Sequence, residues 1–577
     1  LSLTTPSNHP RRAVFALGVI AFLVACWLIF GGLGGLPLIT PDEARNAEVA
    51  REMNLSGAWL VPTYDDLPYL DKPAFFFRTV AWCFHFLGEN EAAARLPSAL
   101  FALGVLTMTV FFCRAIYAQD ELSAATGPLA VLIIGTTPLF LGFARLVIVD
   151  MTLTFFVCAA VFAGFLAERA DEPARARWYL AATAAAGCAT LVKGPVGFFL
   201  PLLVLGVFHL VNGTGAAIRR FFAIRHIALF FAITLPWFIG VNLHRPDFAY
   251  YGLIHETFRR FTTNEFHRAG PIYYYAPWVA GGFFPWSLFL PGAMLLAWRR
   301  RGQLAAADKM LIVWCIVVVL FFSLSKSKRP DYILSAMVAA GILTARLCLA
   351  ACGNPSSASA RVLRCGAALL GAAALLTAVL LGAELAQPGI LARLLSLHRD
   401  PILRFDFNTP VFVATLIAIA VVSIFSWRKP TFAPAAFAAL PLLVLTLAFG
   451  RLEPYAEGRS ERQLAAALPP LPPSTTLASW QSVPMGLPFY HKQAVALISV
   501  DGREFPSNYI PFMLGQTHPW PDNVVPLAEA RAWLAAHAPV YLLSQAGHLS
   551  DLQAIAAVQH ATVNSLGHGW WGALLAQ

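Results

Sequence analysis

Asp42 and Glu43 stand side by side just after an apolar run that ends at Ile39, and Arg45, Glu48, Arg51 and Glu52 follow at once. Adjacent carboxylates can position a substrate or take a proton, and cations beside them can hold an anion. Further clusters mix the same groups. They are "YLDKP" (Tyr69, Asp71, Lys72), "RLVIVDM" (Arg145, Asp150) and "LVKGPVG" (Lys193). Then come "HETFRRFTTNEFHRAGPIYYYAPW" (His255, Glu256, Arg259, Arg260, Glu265, His267) and "SKSKRPDYILS" (Lys326, Lys328, Arg329, Asp331, Tyr332). Helix capping is the plainer account of some of them. Asp42 and Glu43 suit the start of "EARNAEVAREM", and Asp150 that of a helix from Met151. Arg45, Lys72, Arg260 and Lys328 or Arg329 together suit phosphate, arginine through paired hydrogen bonds and lysine as a point charge.

The elements that carry these residues are apolar. The chain has 577 residues, of which 12% are charged, and a mean hydropathy of +0.64. A soluble core cannot bury so much hydrocarbon, so the fold class is a polytopic α-helical membrane protein. Windows long enough to cross fall near 13–38, 93–117, 122–143, 151–168, 177–192, 195–213, 222–243, 276–297, 309–326, 332–351, 362–385, 411–427 and 434–450, thirteen in all. The first is too long for a secretory h-region and reads as a retained span. Residues 73–87 are short and aromatic, contain Arg78 and His85, and read as an interfacial helix.

Charge placement sets the orientation. With Arg11 and Arg12 in the cytoplasm, the inside turns carry Arg114, Arg169, Arg175, Arg177, Arg219, Arg220, Arg225, Arg299 to Arg301, Lys309, Arg346, Arg361, Arg364, Arg428 and Lys429. The net charge of +10 thus follows topology and gives no reason to expect nucleic acid. The nine cysteines form no metal-type pair, and none follows Cys365. Residues 1–450 read as the transmembrane catalytic domain, with 39–91 as its first outer loop. An odd number of spans puts residues 451–577 outside. There "LPPLPPS" punctuates the chain, and strand-length runs at 494–500 and 539–544 flank a helical "PLAEARAWLAAHA", which indicates a small α/β domain. Every mixed cluster then lies on that same outer face. Ionisable groups so near hydrocarbon pair or serve a ligand, and a phosphate met at a bilayer surface belongs to a lipid.

In their order, "PDEAR", "YLDKP", "GENEAAARLPSAL", "VDMTL", "LVKGPVG", "GPIYYYAPW" and "FSLSKSKRPDYIL" resemble the motifs of the polyprenyl-phosphate-dependent, type-C membrane glycosyltransferases over about residues 10–450. The likeness is to the bacterial aminoarabinose branch. It implies that 4-amino-4-deoxy-L-arabinose moves from undecaprenyl phosphate to a lipid A phosphate on the periplasmic side of the inner membrane. It also implies that Asp42 and Asp150 are the catalytic acids, and that Arg45, Tyr69, Lys72, Arg260 and Tyr332 line the donor and phosphate site. By the same likeness Asp71 and His267 would hold a divalent metal such as zinc. The chain departs from the pattern in having Asp71 where a glutamate is expected, and in reading "KRPDY" without a histidine before the tyrosine. Direct displacement at the anomeric carbon, with Lys72 and Arg45 stabilising the leaving phosphate and Arg260 in support, would invert its configuration. The expected partners are the lipid-linked donor, lipid A and membrane lipids, and the expected state is a monomer. One alternative is a transferase moving mannose or a pentose to protein or glycan hydroxyls. Another is a lipid or sugar-phosphate transporter, which calls for ionisable groups at mid-membrane.

Overall fold

The computed structural model describes residues 9–117, 124–259, 262–263, 270–387, 409–448, 452–517 and 519–576. Each apolar window coincides with a helix or a bent helix pair. Length and composition alone qualify seven helices to cross a bilayer, or nine spans if each of two bent pairs counts once. This is fewer than the thirteen windows, because Ala16–Phe30, Val196–Val211 and Ala433–Val444 are shorter apolar helices and Ala174–Lys193 is not among those that qualify.

Both bent pairs break for a visible reason. Thr126–Gly135 and Pro138–Ala144 meet at 74°. Pro138 has no N–H to continue the ladder, and the hydroxyls of Thr136 and Thr137 donate to the carbonyls of Leu132 and Ile134, at 2.7 and 2.8 Å. Tyr275–Gly282 and Trp286–Arg299 meet at 111° around Pro285. There Ser287 Oγ donates to the Ala280 carbonyl at 2.6 Å. The buried Trp286 Nε1 donates to Thr136 Oγ1 at 3.0 Å, tying one break to the other.

The loop after the first apolar helix is polar in sequence yet packed inside. Helix Asp42–Ser56 buries ten residues, among them Glu43, Glu48, Arg51 and Glu52. Pairing makes that burial tolerable. Arg51 grips Glu48 with two bonds of 2.7 Å. Arg95 donates to both oxygens of Glu43 at 2.9 Å and to the carbonyls of Leu33, Leu36 and Pro37. Gly57, at φ 67°, closes the helix in the left-handed conformation that an L side chain resists. Asp65 and Asp66, both at positive φ, then turn a two-residue hairpin between Thr63–Tyr64 and Leu67–Pro68. Helix Phe75–Leu87 is two-faced, burying Phe76, Phe77, Val80, Ala81 and Phe84 while exposing Trp82 and Phe86.

Glu52 is 7% exposed. Burial, reinforced by the nearby Glu48 and Asp66, pushes its carboxyl up to about 8. The folded protein thus holds a proton that the unfolded chain gives up near 4.5. Stability should therefore fall as pH rises from about 4.5 and level off above about 8. Glu52→Gln should flatten that slope, which thermal unfolding of the detergent-purified protein at pH 5, 7 and 9 measures.

The C-terminal domain is a six-stranded sheet in the order Val524–Pro526, Ala496–Ser499, Thr476–Trp480, Val540–Gln545, Trp570–Leu575, Val563–Gly567. The first four strands run parallel, and Trp570–Leu575 pairs antiparallel with both of its neighbours. Alternate residues face opposite cores: Ala478, Ile498 and Leu542 on one side, Leu477, Tyr541 and Leu543 on the other. This domain does not stand apart from the loop. Tyr64, Tyr69, Phe76 and Phe77 share one hydrophobic core with Phe489, Tyr509, Ile510, Met513 and Leu514.

Candidate active site

Two cavities lie against this junction. The larger, about 1020 Å³, is lined by Asp42, Arg45, Tyr69, Asp71, Lys72, Asp150, Lys193, Arg259, Arg329 and Tyr332, and by C-terminal-domain residues such as Val500, Phe505, Asn508, Phe512 and Trp520. The smaller, about 440 Å³, is bounded mostly by apolar side chains such as Leu153, Val157, Phe198, Phe199, Phe238 and Phe321. Asp71, Lys72, Lys193 and Tyr332 line both and form the neck between them.

Alternating charges run along the larger cavity. Arg45 Nη2 bonds Asp42 Oδ1 at 2.7 Å, and Asp42 Oδ2 accepts from Arg329 Nη2 at 3.3 Å. Arg329 Nε bonds Asp331 Oδ1 at 2.9 Å, Asp331 Oδ2 accepts from Lys193 Nζ at 3.2 Å, and Lys193 also bonds Asp150. Asp150 and Asp331 are 3% and 4% exposed. The row thus places the two acids singled out in the sequence at opposite ends of one ion-pair network. Neither acts as the cap that helix position alone suggested, since no side chain caps either helix.

Local sequence explains how Lys193 reaches the neck. Gly194, at φ 75°, ends helix Ala174–Lys193, and Val196–Val211 begins two residues on. A Cβ on Gly197 would lie 2.2 Å from the Ala189 carbonyl carbon, so only glycine lets the two helices pack this closely. The ammonium of Lys193 is then held 4.7 Å from the centre of the Tyr332 ring. The guanidinium of Arg45 sits 5.6 Å from the centre of the Tyr69 ring, and its Nη1 donates to the Pro506 carbonyl of the C-terminal domain at 3.0 Å. Burial pushes the Tyr69 phenol up, which keeps it a hydrogen-bond donor.

Of the residues singled out in the sequence, Asp42, Arg45, Tyr69, Asp71, Lys72, Asp150 and Tyr332 line the larger cavity. Arg260 and His267 lie outside the described residues. Sequence reasoning assigned no role to Lys193, although its "KGPVG" setting marked a helix junction, and it missed Asp331 as the bridge between Arg329 and Lys193. It named Glu256 in a mixed cluster but not its partner Lys72, with which it pairs at 2.5 Å. Nothing local marked C-terminal-domain residues as a wall of the cavity.

Asp71 has an occupation of its own. It accepts from Tyr251 Oη at 2.7 Å and from the backbone N–H groups of Asn508 and Tyr509 at 3.0 and 2.8 Å, fastening the first loop to the C-terminal domain. Among the described residues no three His, Cys, Asp or Glu side chains cluster so as to hold a metal. His267, the other residue that the motif likeness implies for a metal, lies outside the described residues, and no step below passes through a metal.

A bundle of apolar helices with a charged cavity opening beneath an α/β cap is the architecture of a type-C membrane glycosyltransferase, and the comparisons place the chain beside that class. Residues 42–251 match the dolichyl-phosphate-mannose-protein mannosyltransferase family. More particularly, the chain is similar to ArnT from Cupriavidus metallidurans bound to undecaprenyl phosphate, with a TM-score of 0.79 and 25% identity over 99% of this chain and 100% of that one. It is 30% identical over 324 residues to the undecaprenyl phosphate-alpha-4-amino-4-deoxy-L-arabinose arabinosyl transferase of Erwinia tasmaniensis, and 28% identical over 346 residues to that of Photorhabdus laumondii. These matches take in 55% and 59% of this chain and span 57% and 60% of the two relatives.

Proposed function

We propose that this protein moves 4-amino-4-deoxy-L-arabinose from undecaprenyl phosphate to a lipid A phosphate. It does so as a monomer at the periplasmic face of a bacterial inner membrane, with its N-terminus in the cytoplasm and helix Phe75–Leu87 lying on the bilayer surface. The observation that carries the reading is the neck. An apolar cavity suits a prenyl chain, a charged cavity suits an amino sugar and an incoming phosphate, and Lys72, Lys193 and Tyr332 stand where the donor's phosphate would join them. The relatives named as undecaprenyl phosphate-aminoarabinose arabinosyl transferases, and the structure bound to undecaprenyl phosphate, support the donor half of it.

The chemistry follows from the charges. As the bond between the anomeric carbon and the phosphate oxygen breaks, negative charge grows on the lipid phosphate. The ammonium groups of Lys72 and Lys193 are fixed beside it in a site with little water. An acceptor phosphate monoester is largely ionised near pH 7, its second pKa being about 6, so it attacks without a strong base. Both oxygens of Asp42 are held by arginines. Asp42 thus presents a fixed carboxylate to the sugar, suited to orienting its hydroxyls or 4-ammonium group. Attack from the side opposite the leaving phosphate inverts the anomeric centre.

Mass spectrometry of lipid A tests this in a Gram-negative host that lacks its own transferase but supplies the lipid-linked aminopentose. The chain should add the aminopentose to lipid A phosphates, and Asp42→Ala should not. Unmodified lipid A with sound membrane expression would reject this acceptor. The hydroxyl acceptors suggested by the mannosyltransferase match would then be next to assay.

A further inference from the structure

We infer that Glu256 is a positioning residue that occupies Lys72 between turnovers and competes with the lipid phosphate for it. The inference rests on the donor reading above. Lys72 Nζ meets Glu256 Oε1 at 2.5 Å and its neighbour's backbone oxygen, that of Asp71, at 2.6 Å. The two side chains are 18% and 10% exposed, so water screens the pair poorly. Both line the apolar cavity, and Lys72 lines the polar one as well. The carboxylate therefore sits where the donor must deliver its phosphate.

Glu256 belongs to a nine-residue π-helical stretch, Tyr251–Arg259. This wide winding is rare and concentrates at functional sites. Its first residue is anchored, since Tyr251 donates to Asp71 and stacks on His255 at 5.4 Å. Glu256 thus reaches Lys72 from a turn fastened to the residue next to that lysine. A phosphate arriving at the ammonium either displaces the carboxylate or stays beside it as a second anion, and both weaken its binding.

The competition has a use after transfer. The donor's phosphodiester carries one negative charge, whereas the lipid monophosphate left behind carries up to two and would hold Lys72 more tightly. Return of Glu256 to Lys72 helps that product leave. Glu256 thereby gives up donor affinity and gains turnover, the pattern expected where ground-state binding is not wanted.

The test is binding of undecaprenyl phosphate and of neutral undecaprenol to the full chain in detergent, alongside steady-state turnover. Glu256→Gln should bind undecaprenyl phosphate about tenfold tighter than the parent and turn over more slowly, while Lys72→Met should bind it about tenfold more weakly. If Glu256→Gln does not fold, Glu256→Asp, one methylene shorter, takes its place with tightening of the same sign expected. Unchanged or weaker binding by the glutamate variant, with Lys72→Met still impaired, overturns the inference and leaves the donor reading standing. A parent protein that does not prefer undecaprenyl phosphate to undecaprenol overturns the donor reading itself.

Discussion

Lys193→Met is expected to reduce transfer by about 10²–10³-fold, the usual cost of removing one preorganised charge-stabilising donor. The lysine does two jobs. On the proposed reaction it stands at the neck where the leaving phosphate would develop charge, and it bonds both Asp150 and Asp331, which are almost fully buried. Methionine nearly matches its length, so the cavity keeps its shape, but two carboxylates then share a dry site without their common cation. Stability should fall along with activity, and the two effects can be separated. Lys193→Met combined with Asp331→Asn restores the charge balance and should recover most of the thermal midpoint while leaving the transfer rate low. If activity returned together with stability, Lys193 would be a structural counter-ion and would have no part in charge stabilisation.

Arg95→Met should destabilise the protein by about 3–5 kcal/mol, the range found when one partner of a buried ion pair is removed. Five hydrogen bonds radiate from this guanidinium, two to Glu43 and three to backbone carbonyls where the first apolar helix gives way to the loop. Glu43 would keep its bonds from the Ile39 and Val147 N–H groups, yet its charge would be unmatched at 1% exposure. Denaturation of the purified variant would show the loss. Adding Glu43→Gln should recover part of it, because the stranded charge goes as well. A full-sized loss in that double variant would assign the penalty to the backbone bonds alone.

Glu43 also shows where reading the chain ran out. It and Asp42 are neighbours, equally suited to capping or to chemistry. About 100° of helical rotation turns Glu43 inward to Arg95 and leaves Asp42 facing Arg329 across the cavity. No local pattern announces which way that helix is rotated. The apolar windows were legible because hydrocarbon must be continuous to cross a bilayer, and Ala496–Ser499 and Val540–Gln545 were legible as short apolar runs. The hairpin from Val563 to Leu575 went unseen, because Gly567, Gly569 and Gly572 interrupt its pattern. The motif marked Asp71 as a ligand and gave no hint of its bonds from Asn508 and Tyr509, because those partners lie too far along the chain for any pattern to connect them.

That distance sets when the protein can become active. Asp71 and the N–H of Asn508 are 437 residues apart, and at a ribosome's pace of ~10 residues per second the second is made about 40 s after the first. Throughout that interval the lysine motif is without its clasp, and one wall of the charged cavity does not exist. On the proposed function, a nascent chain therefore cannot consume donor while its later helices are still being inserted. The membrane machinery meanwhile has to hold a loop rich in buried carboxylates until the C-terminal domain arrives to cover it.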